Sequence, residues 1–249
     1  MARYFIEVSY DGTGFGGFQI QTSQDTIQGA LENALAILYR QPITLTGASR
    51  TDAGVHAYQN YLHFDLDLPV ITKHLYNLNA LLPDSIVVKG IYIVPDDAHA
   101  RFDAQKRSYI YRLHTVKTPF LVGRSWYYPF PLDLSLLQAA ADALLVYTDF
   151  ETFSKKNTKV NTFNCTISKA LWIQEGTTLQ FHIDSNRFLR GMIRGLVGTM
   201  LQVGRGQITI EQFHEIIRSK NEQKADFSTP AHGLYLSSIQ YPNYFQEIL

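Results

Sequence analysis

The chain has 249 residues, 45% of them apolar and 18% charged, with a formal net charge of zero. This composition excludes general disorder and leaves room for one large domain or two modest ones. No apolar tract reaches the roughly 18 residues of a membrane span, and "MARYFIEVSY" enters strand-like alternation without a signal-peptide pattern, so we expect a cytoplasmic protein with no membrane partner.

The segment "RYFIEVSYD" alternates with period two, placing Tyr4, Ile6 and Val8 on one face and Phe5, Glu7 and Ser9 on the other, and reads as a strand. "YDGTGFGGFQ", residues 10–19, follows with four glycines beside Tyr10, Phe15 and Phe18. It lacks both the spaced G-x-G-x-x-G fingerprint and a GK[ST] ending, so it reads as a tight turn or as a glycine loop presenting aromatics such as Phe18 beside a groove. "TIQGALENALAILYR" sets Ile27, Leu31, Ala34, Leu35 and Leu38 on one helical stripe, with Asp25 or Ser23 as N-cap. A strand near 43–48, the loop "GASRTDAGVHA" (47–57), a strand "YQNYLHFDL", a short helix over 71–81 and a strand "IVVKGIYIV" complete this half.

After "DDAHARFDAQKR", which interrupts the apolar pattern, the second half repeats the grammar more loosely. "RSYIYRLHTV" is strand-like, 133–146 is an amphipathic helix, "CTISKALWI" and "LQFHIDS" pair as a hairpin, 187–203 is a helix, and "GLYLSSIQY" is a closing strand. Residues 151–163 and 221–231 are polar insertions. The element order predicts an α+β protein of two related halves, 1–104 and 105–249. Their antiparallel sheets join into one extended sheet, with helices on the outer side.

Charge is divided between these halves. Residues 1–104 carry 6 Lys and Arg against 11 Asp and Glu, a balance of −5, and residues 105–249 carry 16 against 11, a balance of +5. The second half can therefore attract a polyanion although the whole chain is neutral.

Three stretches have residue types suited to chemistry. In "GASRTDAGVHA" a tight turn lets Arg50 and Asp52 converge on one cavity, while Ala48, Ala53 and Ala57 leave room for a bulky group. An Asx-turn with an Arg cap explains the same residues; an ionised, partly desolvated Asp52 is instead an oxygen nucleophile or base. Asp52 and His56 without a third ligand do not make a metal site. In "NRFLRGMIRGLVGTMLQVG", Arg187, Arg190 and Arg194 fall at i, i+3 and i+7, beside a stripe of Leu189, Ile193, Leu196, Val197 and Met200. They can reach phosphates, pair with a carboxylate, or form a solvated edge, and Gly191, Gly195 and Gly198 thin the surface so another backbone can approach. In "KRSYIYRLH", Arg107 adjoins Tyr109 and Tyr111, an arrangement that stacks a base and holds its phosphate, or simply faces a core. Lys155, Lys156, Lys159, Arg205, Arg218, Lys220 and Lys224 are further candidate backbone contacts.

The loop "GASRTDAGVHA" resembles the signature of the TruA family of tRNA pseudouridine synthases. "YDGTGFGGFQIQ", "TIQGALENAL", "FDAQKRSYIYR", "FLRGMIRGLVGTMLQVG" and "TPAHGLYLSSIQYP" resemble further family motifs in the same order. The resemblance implies isomerisation of uridine to pseudouridine in the tRNA anticodon arm, at positions 38, 39 or 40, in a catalytic cleft between the halves, by a homodimer without cofactor or catalytic metal. It matches Asp52 to the catalytic aspartate, Tyr109 to the base-stacking tyrosine, Arg194 to the arginine paired with the carboxylate, and Arg50 to one that extrudes the target nucleotide. Phe18, His56, Arg107, Lys155, Lys156, Arg187, Arg190 and Arg205 are expected at the RNA, His56 in a structural or RNA-proximal role. Phe18 stands where the family often has Trp, and Gly191 and Gly195 where His and Asn are common.

Overall fold

A computed structural model describes residues 1–156, 160–243 and 245–247, so Lys159 lies outside the described residues. In chain order the strands are β1 (Ala2–Tyr10), β2 (Thr46–Gly47), β3 (His56–Leu66), β4 (Ile86–Val94), β5 (Lys106–His114), β6 (Trp126–Tyr127), β7 (Ile167–Glu175), β8 (Thr178–Ser185), β9 (Leu234–Gln240) and β10 (Gln246–Glu247). The α-helices are α1 (Ile27–Tyr39), α2 (Thr72–Leu81), α3 (Leu134–Ala143), α4 (Met192–Gly204) and α5 (Ile210–Arg218). The chain divides into two compact units, Met1–Arg107 with Tyr235–Leu249, and Ser108–Leu234.

The first unit is built around β1, flanked antiparallel by β3 and β4, with Ile6 opposite both Leu62 and Ile91. Phe5 on one face of β1 and Ile6 and Val8 on the other are all fully buried, so both faces of this sheet are covered here. α1 buries Ile27, Leu31, Ala34 and Leu35 as its stripe requires. Its N-cap is Thr26, whose hydroxyl accepts from the Gly29 N–H, and not Asp25 or Ser23. α2 packs on β4 and against α1. Asn79 on α2 accepts from the Val88 N–H at 2.8 Å and donates to the Val88 carbonyl at 2.9 Å, as a neighbouring strand would.

The closing strand differs from expectation. β9 pairs with β3 in parallel, His56 opposite Tyr235 and Ala57 opposite Leu236, so this sheet is mixed and the end of the chain belongs to the first unit. The long excursion through the second unit supplies the crossover that parallel pairing needs. Farther on, the Tyr241 hydroxyl donates to the Ala100 carbonyl, and Gln246 pairs opposite Ile93.

In the second unit β8 lies between β5 and β7, the hairpin β7–β8 is antiparallel as expected, and β6 adds to β5 in parallel. α3 packs on β7 and α4, capped by Asp133, whose carboxylate accepts from the N–H groups of Ser135 and Leu136. α4 begins at Met192, five residues later than the periodicity predicts. Gly191 at φ +75° starts the helix from a left-handed residue, so Arg187 and Arg190 lie in the preceding loop and not on the helix. α4 is apolar nearly all round and is buried accordingly. α5 was not anticipated, although "TIEQ" at 209–212 is a capping box: the Thr209 hydroxyl accepts from the Gln212 N–H, and the Gln212 side chain accepts from the Thr209 N–H. No helix among the described residues is long and apolar enough to cross a membrane.

Candidate functional site

In the first unit the loop between β2 and β3 is held by a series of hydrogen bonds to neighbouring segments. The Ala48 N–H donates to the Tyr61 carbonyl, Asn60 Nδ2 to the Ser49 carbonyl, and the Phe18 N–H to the Thr51 carbonyl at 3.0 Å. The Thr51 hydroxyl lies 2.8 Å from that of Tyr10, and the Val55 N–H donates to the Asp52 carbonyl. Ser49 and Thr51 point inward and are buried, so the extended backbone turns Arg50 and Asp52 outward; Arg50 is exposed and Asp52 half-buried. Gly54 reverses the chain at φ +76°.

The glycine-rich loop supports this turn. A Cβ on Gly12 would lie 2.1 Å from the Val55 carbonyl oxygen, so only glycine allows the two backbones to approach so closely. Phe18, expected at the RNA, is 1% exposed; its ring fills the space above Gly47, where a Cβ would stand 2.4 Å from it. The ring packs under the loop, which places it out of a ligand's reach.

His56 is 2% exposed, its ring stacked on Tyr235 at 4.6 Å, and Tyr235 is stacked in turn on Tyr58 at 5.1 Å. Its Nδ1 lies 3.1 Å from the Gly12 nitrogen and 3.0 Å from an Asp11 carboxylate oxygen. Nδ1 accepts from the Gly12 N–H when unprotonated and donates to Asp11 when it carries the proton. In both forms it ties the glycine-rich loop to the start of β3, which gives His56 a structural place.

Arg107 also does more locally than the sequence conveys. Its Nε donates to the Ser49 hydroxyl at 3.2 Å, its Nη2 to the carbonyls of Ala48 and Arg101, and its Nη1 to that of Ala104. These bonds place the guanidinium against the segment immediately before Arg50, where it is committed largely to backbone oxygens.

In the second unit Tyr109 is 9% exposed, its ring edge-on to Phe188 at 5.2 Å. Tyr111 is wholly buried, donates to the Pro230 carbonyl at 2.8 Å, and has its hydroxyl pKa raised by burial, so it is core. Arg194, in the first turn of α4, donates from Nε to the Thr229 carbonyl at 2.6 Å. The small face of α4 is occupied as the glycines suggest: a Cβ on Gly198 would lie 2.3 Å from the Asp226 carbonyl oxygen, and one on Gly195 would lie 2.8 Å from the Phe227 ring. Gly191 faces the Lys155 stem, whose ammonium lies 6.0 Å from the centre of the Phe227 ring. The Lys155 N–H donates to the Arg190 carbonyl. The departures at Gly191 and Gly195 thus admit Lys155 and Phe227 beside the helix.

The backbones of Lys155 and Arg190 therefore meet where the chain enters α4, with half-buried Arg187 just upstream. Two other basic candidates have partners of their own. Lys156 is ion-paired with Glu222 at 2.8 Å, and Arg205, at the far end of α4, lies over the Phe130 ring at 4.2 Å. Burial pushes the Cys165 thiol up to about 11, which leaves it inert. Among the described residues no group of three or more His, Cys, Asp or Glu side chains is placed to hold a metal ion.

A family model described as tRNA pseudouridine synthase matches residues 140–242. The chain is 46% identical over 244 residues to the tRNA pseudouridine synthase A of Parabacteroides distasonis, covering 97% of each chain. It is 43% identical to that of Porphyromonas gingivalis over 98% of each chain, and 37% identical to that of Bacillus subtilis over 97% of this chain and all of that one. Similarity of that degree along nearly the whole length, added to the ordered motifs and the supported Asp52 loop, establishes that the chain belongs to the TruA family of tRNA pseudouridine synthases.

Proposed function

We propose that the protein isomerises uridine to pseudouridine in the anticodon arm of tRNA, at positions 38, 39 and/or 40, with Asp52 as the essential carboxylate and no cofactor. The observation that carries this reading is the Asp52 loop, which turns Arg50 and Asp52 outward from a backbone pinned on both sides. The relatives' names supply the substrate class.

The reaction breaks the N1–C1′ bond, turns the detached uracil, and joins C5 to C1′; the hydrogen leaving C5 is matched by a proton gained at N1. Asp52 serves it either by attacking C1′ or by removing the C2′ proton. Arg194 is the counter-charge to the carboxylate, and Tyr109 stacks on the uracil so that it stays bound while it turns. This reading needs Asp52, Tyr109 and Arg194 to act on one base. Flipping that base costs a few kcal/mol, offset by phosphate contacts from Lys155, Arg187 and Arg190 and by Arg50 entering the vacated stack. The enzyme acts in the cytoplasm as a homodimer. Base-resolved mapping of tRNA transcripts treated with the purified protein tests activity and position together. Wild type is expected to form pseudouridine and Asp52→Asn none; an Asp52→Asn protein with the wild-type rate refutes the assignment.

A further inference from the structure

The turn between β4 and β5 carries two exposed side chains that the reading above does not use. Phe102 is 74% exposed, yet its ring is fixed from behind. His99 packs 4.2 Å beneath it, and the buried His63 lies edge-on behind His99 at 4.6 Å. The turn is closed on itself. His99 Nδ1 accepts from the N–H groups of Arg101 and Phe102, the His99 N–H donates to the Asp103 carboxylate at 2.7 Å, and the Asp103 N–H donates to the His99 carbonyl. The guanidinium of Arg101, itself exposed, lies 5.8 Å from the centre of the Phe102 ring.

This turn is joined to the Asp52 loop. A single nitrogen of Arg107, Nη2, donates to the carbonyls of both Arg101 (2.8 Å) and Ala48 (3.1 Å), while Nε holds the Ser49 hydroxyl. The exposed ring therefore stands on the same rigid frame as Arg50 and Asp52. The His99 ring and the closed turn hold the Phe102 ring outward, so it is preorganised for a ligand. Its flank is cationic and not apolar, which suits a nucleotide better than a protein face. An aromatic plane beside a guanidinium stacks one unpaired base and meets its phosphate.

We propose that Phe102 and Arg101 form a stacking platform for an unpaired nucleotide flanking the extruded uridine on the same RNA. The inference rests on the pseudouridine synthase reading for its ligand. Base extrusion at Asp52 leaves neighbouring bases without their stacking partners, and the platform receives one of them.

The test measures dissociation constants of a tRNA transcript for wild type, Phe102→Ala and Phe102→Trp. 2-Aminopurine is placed in turn at each loop position. Losing one base–aromatic stack is expected to weaken binding by about tenfold in Phe102→Ala, with Phe102→Trp restoring it to within about twofold. At one loop position the wild-type protein quenches 2-aminopurine and Phe102→Ala does not. The platform is overturned if Phe102→Ala binds as wild type does, if Trp fails to restore binding, or if the loss follows dissociation of the protein into smaller species on sedimentation. None of these readouts depends on turnover. A wild-type protein that forms no pseudouridine while Phe102→Ala still weakens RNA binding refutes the enzymatic reading and leaves the platform standing.

Discussion

Replacing Gly12 by Ala tests whether the glycine-rich loop fixes the position of Asp52. The new Cβ would stand 2.1 Å from the Val55 carbonyl oxygen and 2.8 Å from its carbon, both backbone atoms, so no side-chain rotation relieves the clash. A separation of at least 3.0 Å requires one backbone to retreat by about 1 Å. The Gly12 side is held by the His56 bond and the Val55 side by the turn bond to the Asp52 carbonyl, so the displacement passes into that turn. Overpacking of this kind costs about 1–3 kcal/mol, and a misplacement of about 1 Å at reacting groups lowers turnover on the order of 100-fold. The comparison is Gly14→Ala. At φ +84° with no atom within 4 Å, that variant loses about 1 kcal/mol to backbone strain and displaces nothing. Urea denaturation and single-turnover pseudouridine formation separate the two. Gly12→Ala at the wild-type rate, or Gly14→Ala losing as much rate as Gly12→Ala, refutes the reasoning.

Two further outcomes follow from buried histidines. His56→Phe keeps a ring for stacking on Tyr235 but leaves the buried Gly12 N–H unpaired; we expect a loss of about 1–3 kcal/mol in thermal or urea unfolding. Its single-turnover rate should fall about tenfold, and wild-type values for both would show that Nδ1 does not hold the loop. His63 accepts from the Ala100 N–H, and burial, aided by His99 and Arg3, pushes its pKa down from 6.5 to about 4. The folded state therefore binds fewer protons than the unfolded chain between those values. The stability this contributes is complete above pH 6.5 and lost as pH falls toward 4, amounting to about 2 kcal/mol between pH 7 and pH 5. Unfolding free energies from urea titrations at the two pH values should differ by that much less in His63→Gln, and an unchanged difference would refute the assignment.

Much of the local structure was legible because its causes are local. The alternation of "RYFIEVSYD", the stripe of α1 and the β7–β8 hairpin each follow from spacing within one segment. For the Asp52 loop the local part is the turn at Gly54, where φ is +76°. Phe18 was misread because an aromatic in a glycine loop looks like an exposed one until Gly47, nearly thirty positions away, is seen to accept its ring. The local bonds of Arg107 are not legible in the sequence for a related reason, since its partners at Ala48, Ser49 and Arg101 lie on other segments. The start of α4 was misplaced because arginine spacing continues a helical pattern that the left-handed Gly191 interrupts.

Spacing and residue type alone carry the chemistry available to this protein: a carboxylate and a guanidinium two residues apart in a turn, a tyrosine on a strand, an arginine beside an apolar helical stripe, and the motif order that marks the family. Which residues face outward, and which hold them there, follows from the packing of distant segments. Ser49 and Thr51 turn in while Arg50 and Asp52 turn out; Phe18 and His56 are buried supports; Phe102 remains exposed. The physical reason is that burial and hydrogen bonding between distant segments satisfy each backbone and side-chain group with a partner that local spacing cannot specify.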